Sequence, residues 1–334
     1  MRLSAMGDVA MMVPVLRALV QQYPNVRVTV ISRPFYRPFF NDIPNLTFFA
    51  FDKKRHKGFS GLFRLYRDLK PLSIDAFADL HNVLRSKVVR TFFAWSGKKV
   101  AFTDKGRAEK KALTRAENKI FKPLPTMFER HAKTFETLGF PIDLSQPTFP
   151  SKPKLDKAVF DFAGAKTNHW IGIAPFAQYD SKVYPLDLMR QVIQQLAQDR
   201  RIQIFLFGGH SEMQQLESLS KDSENVKVVT GTLLFEQELQ LISHLDVMLS
   251  MDSGNGHIAA MYGVEVITLF GATHPYAGFL PFNQPIENAL IPDRKQFPKL
   301  PTSVYGNKKE AGYEEAMRTI SPEEVVAKIK TTIK

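Results

Sequence analysis

Residues 247–270, VMLSMDSGNGHIAAMYGVEVITLF, read as one strand–turn–helix–strand unit. Val247–Met251 is apolar and strand-length, the turn 252–256 is made of residues that interrupt a strand, and a helix is predicted over 256–262. A second apolar run rich in β-branched residues, VEVITLF (264–270), follows. Apolar runs that do not alternate belong to strands covered on both faces. Joined by a short helix, such runs make a parallel sheet.

The same alternation extends outward. Strands are predicted at WIGIAP (170–175), IQIFLF (202–207) and VKVVT (226–230), with helices over 186–198, 211–220 and 236–244. In the first half, VRVTVIS (26–32), LTFFAF (46–51) and IDAFADL (74–80) read as strands, and 9–22, 85–95 and 124–138 as helices. Four prolines in 140–156 mark a linker. At 334 residues the chain suits two domains of about 150 residues each. The expected organisation is a Rossmann-like domain over 1–148, a second over 149–320 and a C-terminal helix over 321–334, opened by Ser321-Pro322-Glu323-Glu324. Residues 275–312, rich in Pro, Asn and Lys, read as a long irregular loop. A doubly wound domain should open with a strand, yet only Met1–Leu3 precede the SAMGD turn, so the expectation is that several residues of that strand are missing.

Composition narrows the class. With 44% hydrophobic and 23% charged residues the chain is of ordinary globular composition, and without cysteine it has no disulfide and no thiolate metal site. The start lacks a small-residue cleavage site and no run reaches the ~18–20 apolar residues of a membrane span, so a cytoplasmic protein is expected. The net charge of +12 is uneven: residues 1–133 hold +16 and the remainder −4. The first domain therefore faces an anionic partner, whether nucleic acid, a membrane leaflet or a phosphorylated glycolipid.

Four turns carry candidate chemistry. Asp8 in Ser4-Ala5-Met6-Gly7-Asp8-Val9 is either a helix cap or a general base at a strand end. Lys182, in the loop after WIGIAP, is either a solvated lysine or a phosphate partner. Gly208-Gly209-His210-Ser211-Glu212 allows close backbone approach, with Glu212 positioned for ribose hydroxyls. No G-x-G-x-x-G follows any predicted strand, which argues against dinucleotide binding. The turn Asp252–His257 opens a helix whose free N–H groups and positive dipole end suit a diphosphate, with Ser253 and Gly254 leaving the approach open.

Taken together, the opening R-L-S-A-M-G-D-V, D-L-H-N-V-L-R-S (79–86), the K-x-(aromatic)-P turn at Lys182, the G-x-x-x-E turn at Glu212, and D-S-G-x-x-H-x-A-A followed by T-L-F-G-A-T-x-P resemble glycosyltransferase family 9, the ADP-heptose:lipopolysaccharide heptosyltransferases. The resemblance implies a GT-B fold, two doubly wound α/β domains with an interdomain cleft. It implies Asp8 as the catalytic base, with Lys182 and His257 also catalytic. It assigns Gln178, Lys182, Glu212, Leu233, Asp252, Ser253, Gly254 and His257 to the ADP-sugar donor, and Arg85 and Arg107 to the acceptor. Tyr184 stands where the family usually has Trp.

The implied reaction moves a heptose from ADP-heptose to a lipopolysaccharide inner-core acceptor, lipid A–Kdo or heptose, with inversion. No D-x-D triplet occurs, so neither metal nor cofactor is expected. Peripheral contact with the anionic inner membrane fits the basic first half. Competing readings are another GT-B enzyme using a different nucleotide sugar, a non-catalytic sugar-nucleotide-binding protein, and a nucleic-acid binder suggested only by a pI near 9.6.

Overall fold

The computed structural model describes residues 1–221 and 223–333. The chain divides into two compact α/β units, one made of residues 1–107 and 125–148, the other of 108–124 and 149 onward.

The first unit runs α1 (Met6–Ala10), α2 (Met12–Gln22), β1 (Val28–Ser32), β2 (Leu46–Ala50), α3 (Gly58–Leu69), β3 (Ala76–Asp79), α4 (Leu84–Trp95) and β4 (Lys99–Phe102). After α5 (Arg107–Thr114), which packs almost wholly with the second unit, it closes with α6 (Met127–Thr137). The strands form two parallel pairs, β1 with β2 and β3 with β4. Met1–Leu3 lies between the pairs: the Arg2 amide donates to Ile31 O at 3.1 Å, Ser32 Oγ donates to Arg2 O at 2.6 Å, and the Met1 amine donates to Ala78 O at 2.8 Å. Beside these residues, β1 and the strand approach 72–78 flank a cavity of about 530 Å³, closed by Met12, Leu16, Leu19 and Phe135. α6 starts where Thr126 and Glu129 cap one another, the Thr126 amide donating to the Glu129 carboxylate at 2.6 Å and the Glu129 amide to Thr126 Oγ1 at 3.1 Å.

The second unit runs α7 (Lys157–Ala163), β5 (His169–Ala174), α8 (Leu186–Ala197), β6 (Ile202–Leu206), α9 (Met213–Ser220), β7 (Val226–Val228), α10 (Phe235–Ser243), β8 (Val247–Met251), α11 (Gly254–Met261), β9 (Glu265–Leu269), β10 (Ala289–Leu290) and α12 (Pro322–Thr332). All six strands form one parallel sheet in the order β10-β9-β8-β5-β6-β7. Ile171, Ile173, Ile204, Leu206, Leu249, Met251, Ile267 and Leu269 are buried within it, each such side chain contributing about 1.5–3 kcal/mol. On α8 the buried residues Met189, Val192, Ile193 and Leu196 recur at helical spacing. α12, capped by Ser321 Oγ accepting from the Glu324 amide at 3.1 Å, adds Val325, Val326 and Ile329 to the same core.

Two features depart from the sequence expectation. The helix expected over 9–22 is broken at Met11 into α1 and α2, and the helix expected from residue 124 starts at Met127, beyond Pro125. The charge division between the units is also weaker than the sequence halves suggest. The basic segment 108–124 packs with the second unit, so the first unit carries 21 Lys/Arg against 10 Asp/Glu and the second 24 against 23.

Candidate functional site

The order of the large sheet explains where its site lies. The chain winds from β5 outward through β6 and β7, then returns to the other side of β5 for β8, β9 and β10. The connections after β5 and β8 therefore diverge, leaving a crevice at the carboxyl ends of these neighbours. Lys182 follows β5 and Asp252 follows β8, and they meet there. Lys182 Nζ donates to the Asp252 carbonyl oxygen at 2.5 Å and lies 3.4 Å from its carboxylate, both side chains being largely buried. Lys182 is held from behind by Gly306, which has φ +82° and no room for a Cβ against the lysine stem. Gly271 is similarly obligatory, because a Cβ there would stand 2.2 Å from Ser181 O, whose acceptor bond from the Ala272 amide (2.9 Å) ties the two loops together.

α11 opens on this crevice. Ser253 is its N-cap, and Gly254 and Gly256 keep the first turn clear. Gly256 sits against Ser250, whose hydroxyl would lie 2.5 Å from an added Cβ. The Ser253 and Thr273 hydroxyls are buried and have no hydrogen-bond partner among the described residues. His257 lies buried in the first turn of α11. Of the residues expected at the donor, Lys182, Asp252, Ser253, Gly254 and His257 are thus brought to one place. The others continue along the carboxyl edge, one strand at a time. Gln178 is exposed in the loop after β5, Glu212 follows β6, and Leu233 is buried after β7. The Glu212 carboxylate accepts from the Gly209 amide at 2.6 Å, so it fixes the Gly208-Gly209 turn. Thr230 Oγ1 braces the same turn by accepting from the Gly208 amide and donating to its carbonyl, each at 3.0 Å.

In the first unit Asp8 is the third residue of α1. Its carboxylate accepts from the Ala5 amide at 3.1 Å and from Arg2 at 2.7 Å. Arg2 is buried and also donates to Leu80 O at 2.6 Å. Around this pair stand Lys105 and His81. Burial, then the charge of Arg2, lowers the Lys105 ammonium below its usual range. His81 is pushed down to about 4, first by burial and then by Arg2 and Lys105. Asp79 holds the turn before His81, accepting from the His81 amide at 3.0 Å and the Asn82 amide at 2.7 Å. Arg85 and Arg107 are both exposed, Arg85 lying 5.6 Å over the Phe51 ring and Arg107 opening α5. Sequence reasoning missed Arg2, His81 and Lys105 as neighbours of Asp8. Arg2 was the legible one, a cation six residues before the acid in the opening motif.

Among the described residues no group of three or more His, Cys, Asp or Glu is arranged to hold a metal ion, and no helix is long and apolar enough to cross a membrane.

The family described as glycosyltransferase family 9 (heptosyltransferase) matches residues 62–310. The lipopolysaccharide core heptosyltransferase OpsX of Haemophilus influenzae is 25% identical over 287 residues, 82% of this chain and 79% of that protein. Among solved structures, Escherichia coli ADP-heptose LPS heptosyltransferase II superposes with a TM-score of 0.70 at 18% identity, covering 99% of this chain and 97% of that one. E. coli heptosyltransferase WaaC with ADP superposes with a TM-score of 0.69 at 17% identity, covering 99% and 98%. The likeness identifies the fold as GT-B.

Proposed function

We propose a reaction from one premise: the chain belongs to glycosyltransferase family 9, the heptosyltransferases. The enzyme transfers a heptose from ADP-heptose to the inner core of lipopolysaccharide, with inversion and without a metal. The observation that carries the donor assignment is the meeting of Lys182, Asp252 and the α11 N-terminus at the switch point between β5 and β8. An ammonium has three N–H donors. Asp252 engages two directions, and the third is available to a phosphate oxygen. The first-turn amides of α11 add partial positive charge, and the buried Ser253 hydroxyl adds a donor that no group among the described residues uses. As the glycosidic bond to the diphosphate breaks, the leaving oxygens gain charge. Lys182 and His257 stabilise that charge, the role a divalent cation has elsewhere. Glu212 and Leu233 receive the nucleoside, Glu212 at the ribose and Leu233 at the base, and Gln178 approaches the phosphates.

Asp8 takes the proton from the acceptor hydroxyl, which attacks the anomeric carbon opposite the departing diphosphate. Arg2 compensates the carboxylate while the second oxygen is held by Ala5, so the base is oriented before substrate arrives. Arg85 and Arg107 receive the acceptor's phosphates or carboxylates. E. coli WaaC has been solved with ADP, and the curated relatives act on lipopolysaccharide, which supports this donor and acceptor here. A glycolipid acceptor sets the enzyme at a membrane surface as a peripheral protein, which agrees with the basic first unit.

Calorimetric titration with ADP in the presence of EDTA tests the donor half. Binding is expected to survive the chelator and to exceed that of UDP or GDP. A Mg²⁺ requirement, or a preference for UDP, would overturn the donor and metal assignments.

A further inference from the structure

On the first unit three large apolar side chains, none of them in the contacts of Asp8 described above, are exposed together. Phe59 on α3 is 68% exposed, Phe63 one turn later 45%, and Trp95 at the end of α4 79%. They are one patch, because each packs on the Phe92 ring, at centroid distances of 5.6, 5.4 and 6.2 Å. A contiguous aromatic surface of this kind is a docking surface, whereas scattered exposed apolar residues are not.

The surrounding charge selects the partner. Residues 53–70 carry seven Lys/Arg and one acid, Asp68, which is held by Arg55 at 2.9 Å. Residues 84–99 carry five Lys/Arg and no acid. Lys57, Arg64, Arg67 and Lys70 on or beside α3, and Lys98 and Lys99 after Trp95, are exposed. Trp and Phe rings seat at the boundary between headgroups and acyl chains, and lysine and arginine beside them meet lipid phosphates. Protein-facing patches, by contrast, are depleted in lysine.

We propose that Phe59, Phe63 and Trp95, rimmed by the basic residues of α3, α4 and the entry to β4 at Lys98 and Lys99, are the surface by which this chain docks on an anionic phospholipid bilayer. The proposal rests on the peripheral placement offered above. Its readout is lipid binding alone, so a failed ADP titration would leave it standing.

The chain's two tryptophans make the test direct. Trp95 is exposed and Trp170 is 1% exposed, so a change in emission on adding vesicles reports Trp95. Vesicles of phosphatidylethanolamine and phosphatidylglycerol (3:1) should shift the emission to the blue and co-sediment the protein, and phosphatidylcholine vesicles should do neither. Phe59→Ser with Trp95→Ser should lower co-sedimentation about tenfold or more by removing buried apolar area. Lys98→Glu with Lys99→Glu, which spares the rings, should lower it about tenfold through charge. Both variants should keep the parent melting temperature, since the substituted side chains are exposed. Several results would overturn the proposal: no blue shift with anionic vesicles, equal binding to phosphatidylcholine, or unchanged co-sedimentation by either variant. So would a concentration-dependent dimer or oligonucleotide binding abolished by Trp95→Ser in the absence of vesicle binding, which would assign the patch to another partner.

Discussion

The two units reach related architectures by unequal means. In the second, six strands pair in one sheet and the site appears where sheet order itself requires a crevice, and Lys182 and Asp252 meet there in loops that Gly271 and Gly306 allow to pack closely. In the first, two strand pairs are joined through the three residues Met1–Leu3 beside a cavity of about 530 Å³, and Asp8 is oriented by an ion pair with a buried arginine. One site is thus fixed by topology and the other by a few polar contacts. Substitutions around Asp8 should therefore alter turnover with donor affinity kept, and those at the second unit's crevice should alter donor affinity, with turnover falling as well at Lys182 and His257.

The sharpest attempt to break that separation is Asp8→Asn. Loss of the proton acceptor should lower kcat by about 10²–10⁴. The Ala5 cap can persist, since Asn caps about as well as Asp, but Arg2 loses its charged partner, so a stability loss of about 1–3 kcal/mol is expected as well. ADP affinity measured at a temperature where the variant is folded should stay near the parent value. A fully active Asn variant would reduce Asp8 to a helix cap.

Lys182→Ala is the counterpart in the second unit. On the proposed donor assignment it removes a charge-assisted bond to the diphosphate worth about 1.5–3 kcal/mol, so ADP should bind about 10- to 100-fold more weakly. Equal loss of ADP affinity in the Asp8 and Lys182 variants would contradict the assignment of donor and acceptor to different units.

Titration sharpens the comparison at a smaller scale. Glu238 on α10 is pushed up to about 7 by burial, while His81 near Asp8 is pushed down to about 4. Between pH 5 and 8 His81 stays neutral, and Glu238 ionises. A carboxyl raised in the folded state contributes stability that is complete below its unfolded value of 4.5 and is lost as pH rises through about 7. Glu238→Gln should therefore be neutral near pH 4 and raise stability above pH 7 by about 2 kcal/mol, several degrees in Tm. A melting temperature for this variant that follows the parent at every pH would show that the carboxyl is solvated.

The sequence was most legible where burial is most complete. β5, β6, β8 and β9 stand out as uninterrupted apolar runs because the sheet is covered on both faces, and the D-S-G-x-x-H turn marked its crevice. The first unit hid more. β4, KVAF, is only four residues with Lys99 exposed, and α3 carries Arg64, Arg67 and Asp68 on its outer face with Phe59 and Phe63 exposed beside them, so its apolar period is blurred. Neither was read from sequence. The segment 108–124 was equally silent: Leu113 and Leu124 pack on Ala277, and Arg294 lies 3.5 Å over the Phe121 ring, contacts across more than 150 residues that no local pattern announces. Lys105 and His81, likewise distant from Asp8 in sequence, could not be gathered around it before the fold was known, whereas Arg2 stood in the same opening motif.

The smallest expected effect falls on the two exposed arginines. Arg85 stacks over Phe51 and makes no ion pair among the described residues, and Arg107 stands where the chain leaves the first unit for α5. An exposed cation interacting with an acceptor phosphate is weakened by solvent and salt, so Arg85→Ala or Arg107→Ala should raise the acceptor KM only about three- to tenfold. ADP affinity and kcat should hold. The effect should shrink as ionic strength rises from 0.05 to 0.5 M, roughly the range over which the Debye length falls from about 14 to 4 Å. A KM change that ignores salt would mean that Arg85 acts through its packing on Phe51, and a matching fall in ADP affinity would move Arg107 to the donor side. Either result would redraw the line between a donor site built by sheet topology and an acceptor site built by charge.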